Sequence, residues 1–543
     1  MSISSLSNLQ ISLLSTTAIE ALTATDIQSM SASQVGAINT SGIAVLDQTQ
    51  LSALSPTQVK GLTASQLPKL TSSLVFGTAQ LQALSNQQFS SLTTTQIDNF
   101  DATHIAVIAS TQIGALSATN FSALDATHIS ALNGTQLSGL STAELSGLTS
   151  TALGELKDTQ IALLASTQVG ALSATNFSAL DATAIGALSA TQLKGVTTAQ
   201  LSGITSTALS NLSSTQIGQL STAQIGALNA TNAGNLSSTQ VGGLSATQVA
   251  SLSNTNLGSL SATALGSLNA TQVGGLTNAQ IGALSVTTLG KLNDTQISEL
   301  TATQVGALSA TNFSALDATA IGALNSTQLK GVTTGQIAGL TSTALGNLKD
   351  TQIALLTPTQ VGAFSATNFS ALDATAIGTL TSTQIGGLST AELSGLTATA
   401  MGNLKDTEIA LLSSTQIGAL SATNFAGLDA TAIGALSATQ LKGVSATQIR
   451  ALDVTHVGNL QGTQVASLST TQIGGLNTTV INNLTTTEIG YLQATQIPGI
   501  NATQMPYLST TNISSMNATQ IAAFTTNQVQ NMMTEAQAEA YLS

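Results

Sequence analysis

The 543-residue chain has no cysteine and no tryptophan. That excludes disulfides, thiolate zinc sites and a thiol nucleophile. Charge is nearly as scarce: Asp, Glu, Lys and Arg make up 6% of residues, against about a quarter in ordinary globular domains. The balance is acidic, 10 Lys+Arg against 23 Asp+Glu for a net charge of −13. With no basic patch to meet phosphates, nucleic acid is not an expected partner. No run approaches the roughly eighteen apolar residues of a membrane span. The first basic side chain is Lys60, so the N-terminal region lacks the basic segment of a secretory signal peptide. Aromatics are 2% of residues and prolines number five. An apolar content of 42% nevertheless argues against disorder, which requires low hydrophobicity.

What is present is an eight-residue repeat. From Thr111 the chain reads TQIGALSA, TNFSALDA, THISALNG, TQLSGLST. Labelling the octad a to h, with h the recurrent Leu, gives S-A-T-Q-I-G-A-L as a typical unit. From Leu84 to Met532 there are 57 consecutive h positions and all are apolar; position e is mostly Ile, Val, Leu or Phe. An earlier block from Leu14 to Leu70 keeps the period in another phase. Five segments follow: an N-terminal cap (1–14), first-phase repeats (15–70), a register slip (71–84), second-phase repeats (85–532) and a C-terminal cap or tail (533–543). Lys, Arg, Asp and Glu avoid e and h throughout the repeats. Burying an unpaired charge is costly, so e and h are expected inside.

An eight-residue period suits neither a continuous helix nor a plain strand. In a helix the apolar stripe drifts by roughly 80° per unit, the excess of eight residues over two full turns. In a strand e and h fall on opposite faces. Ser, Thr, Asn or Asp at a with Gln or Glu at d repeats the helix capping box. A cap at a would place b, e and h on one face, and Gly at f or g would supply a left-handed helix end. Pro56 and Pro358 fall at b, the first helical position. Pro68, Pro498 and Pro506 fall at f, tolerable if regular helix stops near e. The expected fold is a solenoid, a regular superhelical array of about 63 octads, each a capped short helix plus a tight turn. A β-solenoid is the alternative, since this composition also suits one. Phe replaces Ile at e in Phe121, Phe177, Phe313, Phe369 and Phe425, which stand seven, seventeen, seven and seven octads apart. Those are odd numbers of octads, so the octads are expected to be structurally equivalent.

Candidate chemistry is sparse. His104, His128 and His456 all lie at d after an Asp at a, a pattern that fits a pH-sensitive or metal-binding pair but is explained by His standing in for Gln in the cap. The carboxylates at a read as caps. The Phe at e reads as core rather than a ligand platform. Lys157-Asp158, Lys349-Asp350 and Lys405-Asp406 read as solvated charges rather than a docking motif. Several Asn-x-Ser/Thr triplets, such as Asn133-Gly-Thr and Asn229-Ala-Thr, match the glycosylation signal, which arises automatically when a is Asn and c is Thr. No hydrolase, phosphate-loop, zinc-protease or dinucleotide fingerprint occurs. No catalytic, cofactor-binding or metal residue, and no small-molecule substrate, is expected.

The units STQIGALSA from Ser110 and STAQIGALNA from Ser221 resemble those of large bacterial octapeptide-repeat proteins, often described as surface, adhesion-like or haem-utilisation proteins. The resemblance spans almost the whole chain and implies an extracellular bacterial setting without an activity. It carries over no haem ligand, because no repeat-wide His, Tyr or Cys exists. The polar, charge-poor surface expected of such a rod favours self-association. The expected role is a non-enzymatic structural protein, an extracellular filament, stalk or matrix component, secreted without a classical signal peptide. The alternatives are a solenoid binding module or adhesin for peptide, glycan or ice, and a cytoplasmic location.

Overall fold

The computed structural model describes residues 2–543, which fall into two units, one ending at Leu276 and one spanning Thr277–Ser543. Both are built the same way: one short helix per octad, with no strand among the described residues. Each unit is thus a helical solenoid, and the β-coil alternative does not hold.

The octad 189–196 shows the local logic. Ser189 is extended (φ −74°, ψ 161°) and its hydroxyl accepts from the Gln192 N–H, which starts the helix Ala190–Gly195. Gln192 Oε1 in turn accepts from the Ser189 N–H at 3.0 Å, completing the reciprocal cap. The helix ends when Val196, the h residue, swings to φ −61°, ψ 126°. This extended h residue leads directly into the next extended cap. Pro56 and Pro358 sit in the first helical turn as expected. The three prolines at f convert their octads to 3₁₀ turns at Leu67–Lys69, Ala494–Gly499 and Met505–Tyr507.

Two details differ from the sequence reading. The buried positions are d, e and h, whereas b is exposed in most octads: Gln192, Leu193 and Val196 are buried and Ala190 is not. The b–e–h face assumes that the helix continues through h. Because h leaves the helix, d and e form the inward edge and h folds back beneath them. Second, no glycine among the described residues has positive φ. Glycine serves close approach instead. A Cβ on Gly170 would lie 2.4 Å from the Gly195 carbonyl oxygen, and one on Gly195 would lie 2.1 Å from that of Ser166. The same f-to-g pairing recurs at Gly36/Gly61, Gly114/Gly139, Gly306/Gly331, Gly362/Gly387 and Gly418/Gly443, always at the same separation along the chain. Helices three octads apart therefore cross backbone to backbone.

Side chains set the other limit. Gln at d donates from Nε2 to main-chain carbonyls 31 and 28 residues earlier, as Gln192 does to Ile161 and Leu164, both at 3.0 Å. Those carbonyls belong to the octad four units back. A turn therefore takes between three and four octads, near the 28-residue separation of this bond. On that pitch the seven-octad spacing from Phe121 to Phe177, from Phe313 to Phe369 and from Phe369 to Phe425 is two turns. A seven-octad module is thus a whole number of turns although it is an odd number of octads.

The register slip is absorbed within one turn. Thr71–Gly77 is non-helical, with Leu74 and Phe76 buried in place of the missing e and h. Gln48 brackets it, accepting from the Val75 N–H and donating to the Val75 carbonyl, both at 2.9 Å. Across the slip the Gln reach contracts, to separations of 29 and 26 at Gln80, Gln88 and Gln96, and returns to 31 and 28 at Gln112. The partners remain an e and an h carbonyl throughout. The segment 533–543 forms the helix Glu535–Leu542, whose Gln537 donates to the Met505 and Leu508 carbonyls.

Candidate functional site

The chemistry-bearing residues concentrate in one recurrent place, the slot occupied by the d side chain between turns. Gln200 is representative. Its Oε1 accepts from the Thr197 N–H at 2.7 Å, and its Nε2 donates to the carbonyls of Val169 and Leu172, each at 2.8 Å. The side chain is 1% exposed. One carboxamide thus satisfies a helix start and the end of a helix one turn away, groups that helices otherwise leave unpaired. Asn at d reaches less far: Asn176 donates only to the Leu148 carbonyl, at 2.8 Å.

His occupies the same slot. His128 is buried, with Nε2 directed at the Phe100 carbonyl and Nδ1 accepting from the Asp125 N–H at 3.3 Å. His456 Nε2 lies 2.8 Å from the Leu428 carbonyl, and its Nδ1 is 2.7 Å from Asp453. His104 pairs with Asp101 at 2.6 Å. The three pairs are separate along the chain. The carboxylates are held below their ordinary range chiefly by hydrogen bonds: the Thr103 hydroxyl on Asp101, and the His128 and His456 N–H groups on Asp125 and Asp453. Among the described residues no three His, Cys, Asp or Glu converge on a common centre. The Asp residues at a cap their helices; Asp181, for example, accepts from the Ala184 N–H at 2.8 Å.

The Phe octads carry a compensated version of the slot. Phe121, Phe177, Phe313 and Phe369 are buried, and the d residue four octads later is Ala152, Ala208, Ala344 and Ala400 respectively. The N–H that Gln Oε1 would receive is accepted instead by the Ser following each Phe. Thr205 N–H donates to Ser178 Oγ at 3.2 Å, and Thr341 N–H to Ser314 Oγ at 3.0 Å. These rings are core, closed on all sides. The lysines at a make no cap bond of their own, but Lys349 Nζ donates to the Gly322 carbonyl at 2.9 Å. Of the glycosylation-triplet asparagines, Asn133 caps its helix, and Asn229 both caps and donates to the Ser202 carbonyl.

Two clefts arise where d is Ala without that compensation. One of about 130 Å³ is lined by Leu153, Leu156, Asp158, Asp181 and Ala184 among others, and its counterpart of about 190 Å³ by Leu289, Leu292, Asp294, Asp317 and Ala320. Each has the volume of a few water molecules. An apolar void of about 20 Å³ lies among Val457, Leu468, Ile481, Leu484 and Ile489, next to the octad where Val480 replaces Gln at d.

Sequence reasoning passes over Glu144 and Glu392. Both stand at d in STAEL units, both are 1% exposed, and each has one carboxyl oxygen, Oε1, with no hydrogen-bond partner. Burial raises both carboxyls above the usual range, Glu392 to about 7, against the opposing bonds from Ser141 and Ser389. The detectable signal is a Glu in a column otherwise filled mostly by neutral amides, but the capping pattern alone already accounts for an acid there.

No protein-family description matches the chain, and no curated protein matches it. Similar solved structures include a homology model of the full-length AP-3 complex in an intermediate open conformation, at 11% identity and TM-score 0.16, covering 96% of this chain and 83% of that one. Another is the structure of APUM23-GGAAUUGACGG, at 12% identity and TM-score 0.14, covering 82% and 90%. Likeness at this level carries no argument about fold or function. No helix among the described residues is long and apolar enough to cross a membrane.

Proposed function

We propose that the protein is a non-enzymatic structural protein that associates with copies of itself in an extracellular filament, stalk or matrix. The supporting observation is where the octad spends its polar chemistry. The amide at d, the cap at a and the carbonyls at e and h are engaged within the coil, as Gln200, Thr197, Val169 and Leu172 are. What faces outward is mainly Ala, Ser, Thr and Gly, with little charge to oppose contact between neighbouring chains.

Electron microscopy and sedimentation of the purified protein test this reading. The expected result is concentration-dependent assembly that persists at high salt, since few charges are involved. Monodisperse monomers at millimolar concentration would refute it.

A second reading, a binding module, draws on three exposed leucines. Leu163, Leu355 and Leu411 are 58%, 43% and 47% exposed, and each occupies g of a Lys-Asp-Thr octad. They follow the buried Phe121, Phe313 and Phe369 at one fixed offset, so the module repeats the feature. Loss of partner capture on replacing all three leucines with Ser, with assembly unchanged, would favour it.

A further inference from the structure

The d slot is built for a donor. Gln200, Gln336 and Gln448 follow Phe177, Phe313 and Phe425 at one fixed offset. Each carries an amide that donates to two carbonyls at distances from 2.7 to 2.9 Å. Glu144 follows Phe121, and Glu392 follows Phe369, at that same offset. Their Oε2 atoms play the amide oxygen's part, accepting from the Ser141 and Ser389 N–H groups at 2.6 Å. Their Oε1 atoms, the counterparts of the amide nitrogen in the isosteric glutamine, are buried and unpaired. The register assigns Oε1 of Glu144 to the carbonyls of Ile113 and Leu116, and that of Glu392 to those of Val361 and Phe364. A carboxylate facing carbonyl oxygens is repelled by them; a carboxylic acid donates to one of them.

We propose that Glu144 and Glu392 are carried as neutral carboxylic acids, each using its proton to close the inter-turn bond that glutamine closes elsewhere, so that rising pH loosens the coil at these two turns. Closing takes up one proton from solvent per turn and opening returns it.

The surroundings offer the anion no help. The helices packed against that of Glu144 are Ala118–Ser122 and Ser166–Ala171, and their octads, like those of the adjoining helices Ser110–Ile113 and Ala174–Ala179, contain no charged or titratable side chain. The same holds for Glu392, whose helix packs against Ala366–Ser370 and Ser414–Ala419, with Pro358–Val361 and Ala422–Ala426 adjoining. In the octads flanking them along the chain, Glu155 is the one ionisable residue. Nothing cationic is therefore placed to stabilise the charged form, and burial governs. Glu408, also at d and buried, differs: Lys405 and Asp406 share its octad, and neither of its carboxyl oxygens is both fully buried and unpaired.

The sign follows from the raised carboxyl. A group favoured in its protonated form by folding stabilises the closed turn fully below its unfolded value. That contribution is lost as pH rises, and is gone above the folded value. For Glu392 the window runs from about 4.5 to about 7, so the local opening equilibrium is expected to rise by roughly 300-fold across it, then level off. Hydrogen exchange of the full chain from about pH 4 to about pH 8.5, corrected for intrinsic rates, reads this at residues 361–364 and 389–395, and at 113–116 and 141–147. Turns at Gln336 and Gln448 are internal references and are expected to stay flat. E144Q and E392Q should each abolish the pH dependence of their own turn and leave the other intact. Q200E should create it at a third. Infrared difference spectra should show a protonated-carboxyl stretch at about pH 5.5 that the E144Q/E392Q double variant lacks. Protection independent of pH at both turns, or no such band, overturns the proposal.

Discussion

Gln200 offers the most direct test of what holds successive turns together. Replacing it with Ala removes the acceptor for the Thr197 N–H and the donor to the Val169 and Leu172 carbonyls. Val169 retains the bond from the Leu172 N–H at 3.3 Å, whereas the Leu172 carbonyl is left with no protein partner in a buried position. An orphaned buried acceptor costs about 1–3 kcal/mol, and the lost cap about 1 more. Gln200→Ala should therefore weaken this turn by about 3 kcal/mol. Gln200→Asn should cost about half as much, since Asn176 shows that the shorter amide still reaches the h carbonyl at 2.8 Å. Because each turn is stabilised mainly by its neighbours, the effect belongs to the local opening of one turn. Hydrogen exchange at the helices Ser166–Ala171 and Thr198–Ser202 is the appropriate assay. The Ala variant should lower protection there by about two decades and the Asn variant by about one. Equal protection in all three proteins, or a loss spread evenly through residues 2–276, would refute the idea that the amide is an inter-turn lock.

The glycines divide into two classes with opposite expectations. Gly195→Ala places a Cβ at 2.1 Å from the Ser166 carbonyl oxygen and should cost about 1–3 kcal/mol in denaturant unfolding. Gly186→Ala meets nothing within 4 Å, and should be neutral or stabilising by up to about 1 kcal/mol. Ser178→Ala removes the acceptor of the Thr205 N–H. It should raise exchange at Thr205 by about fivefold to tenfold, for about 1 kcal/mol, while Ala208→Gln at the same slot should be rejected by the Phe177 ring and lower the melting temperature.

The physical content of the octad is legible in sequence where it depends on near neighbours. The cap at a, the reciprocal Gln at d, the proline placements and the burial of e and h all follow from helix-end chemistry and the cost of buried charge, and the structure contains each. Position d is legible only by half. Its oxygen serves a residue three places away, which a pattern reveals. Its nitrogen serves carbonyls at sequence separations of 31 and 28, as at Gln200, which a pattern does not. For that reason Glu144 and Glu392 look like ordinary caps in the sequence. Glycine is misread for the same cause, since the Gly170–Gly195 approach exists only between turns.

What the amino-acid order settled alone was the unit: a short capped helix with a greasy interior and almost no charge. What only the tertiary structure decided was the pitch. The number of octads in a turn is set by how closely glycine backbones approach and how far a glutamine amide extends, and both are distances between segments remote in sequence. That non-integral pitch makes seven octads close two turns, and it turns a buried glutamate from a helix cap into a carboxyl with nowhere to place its charge.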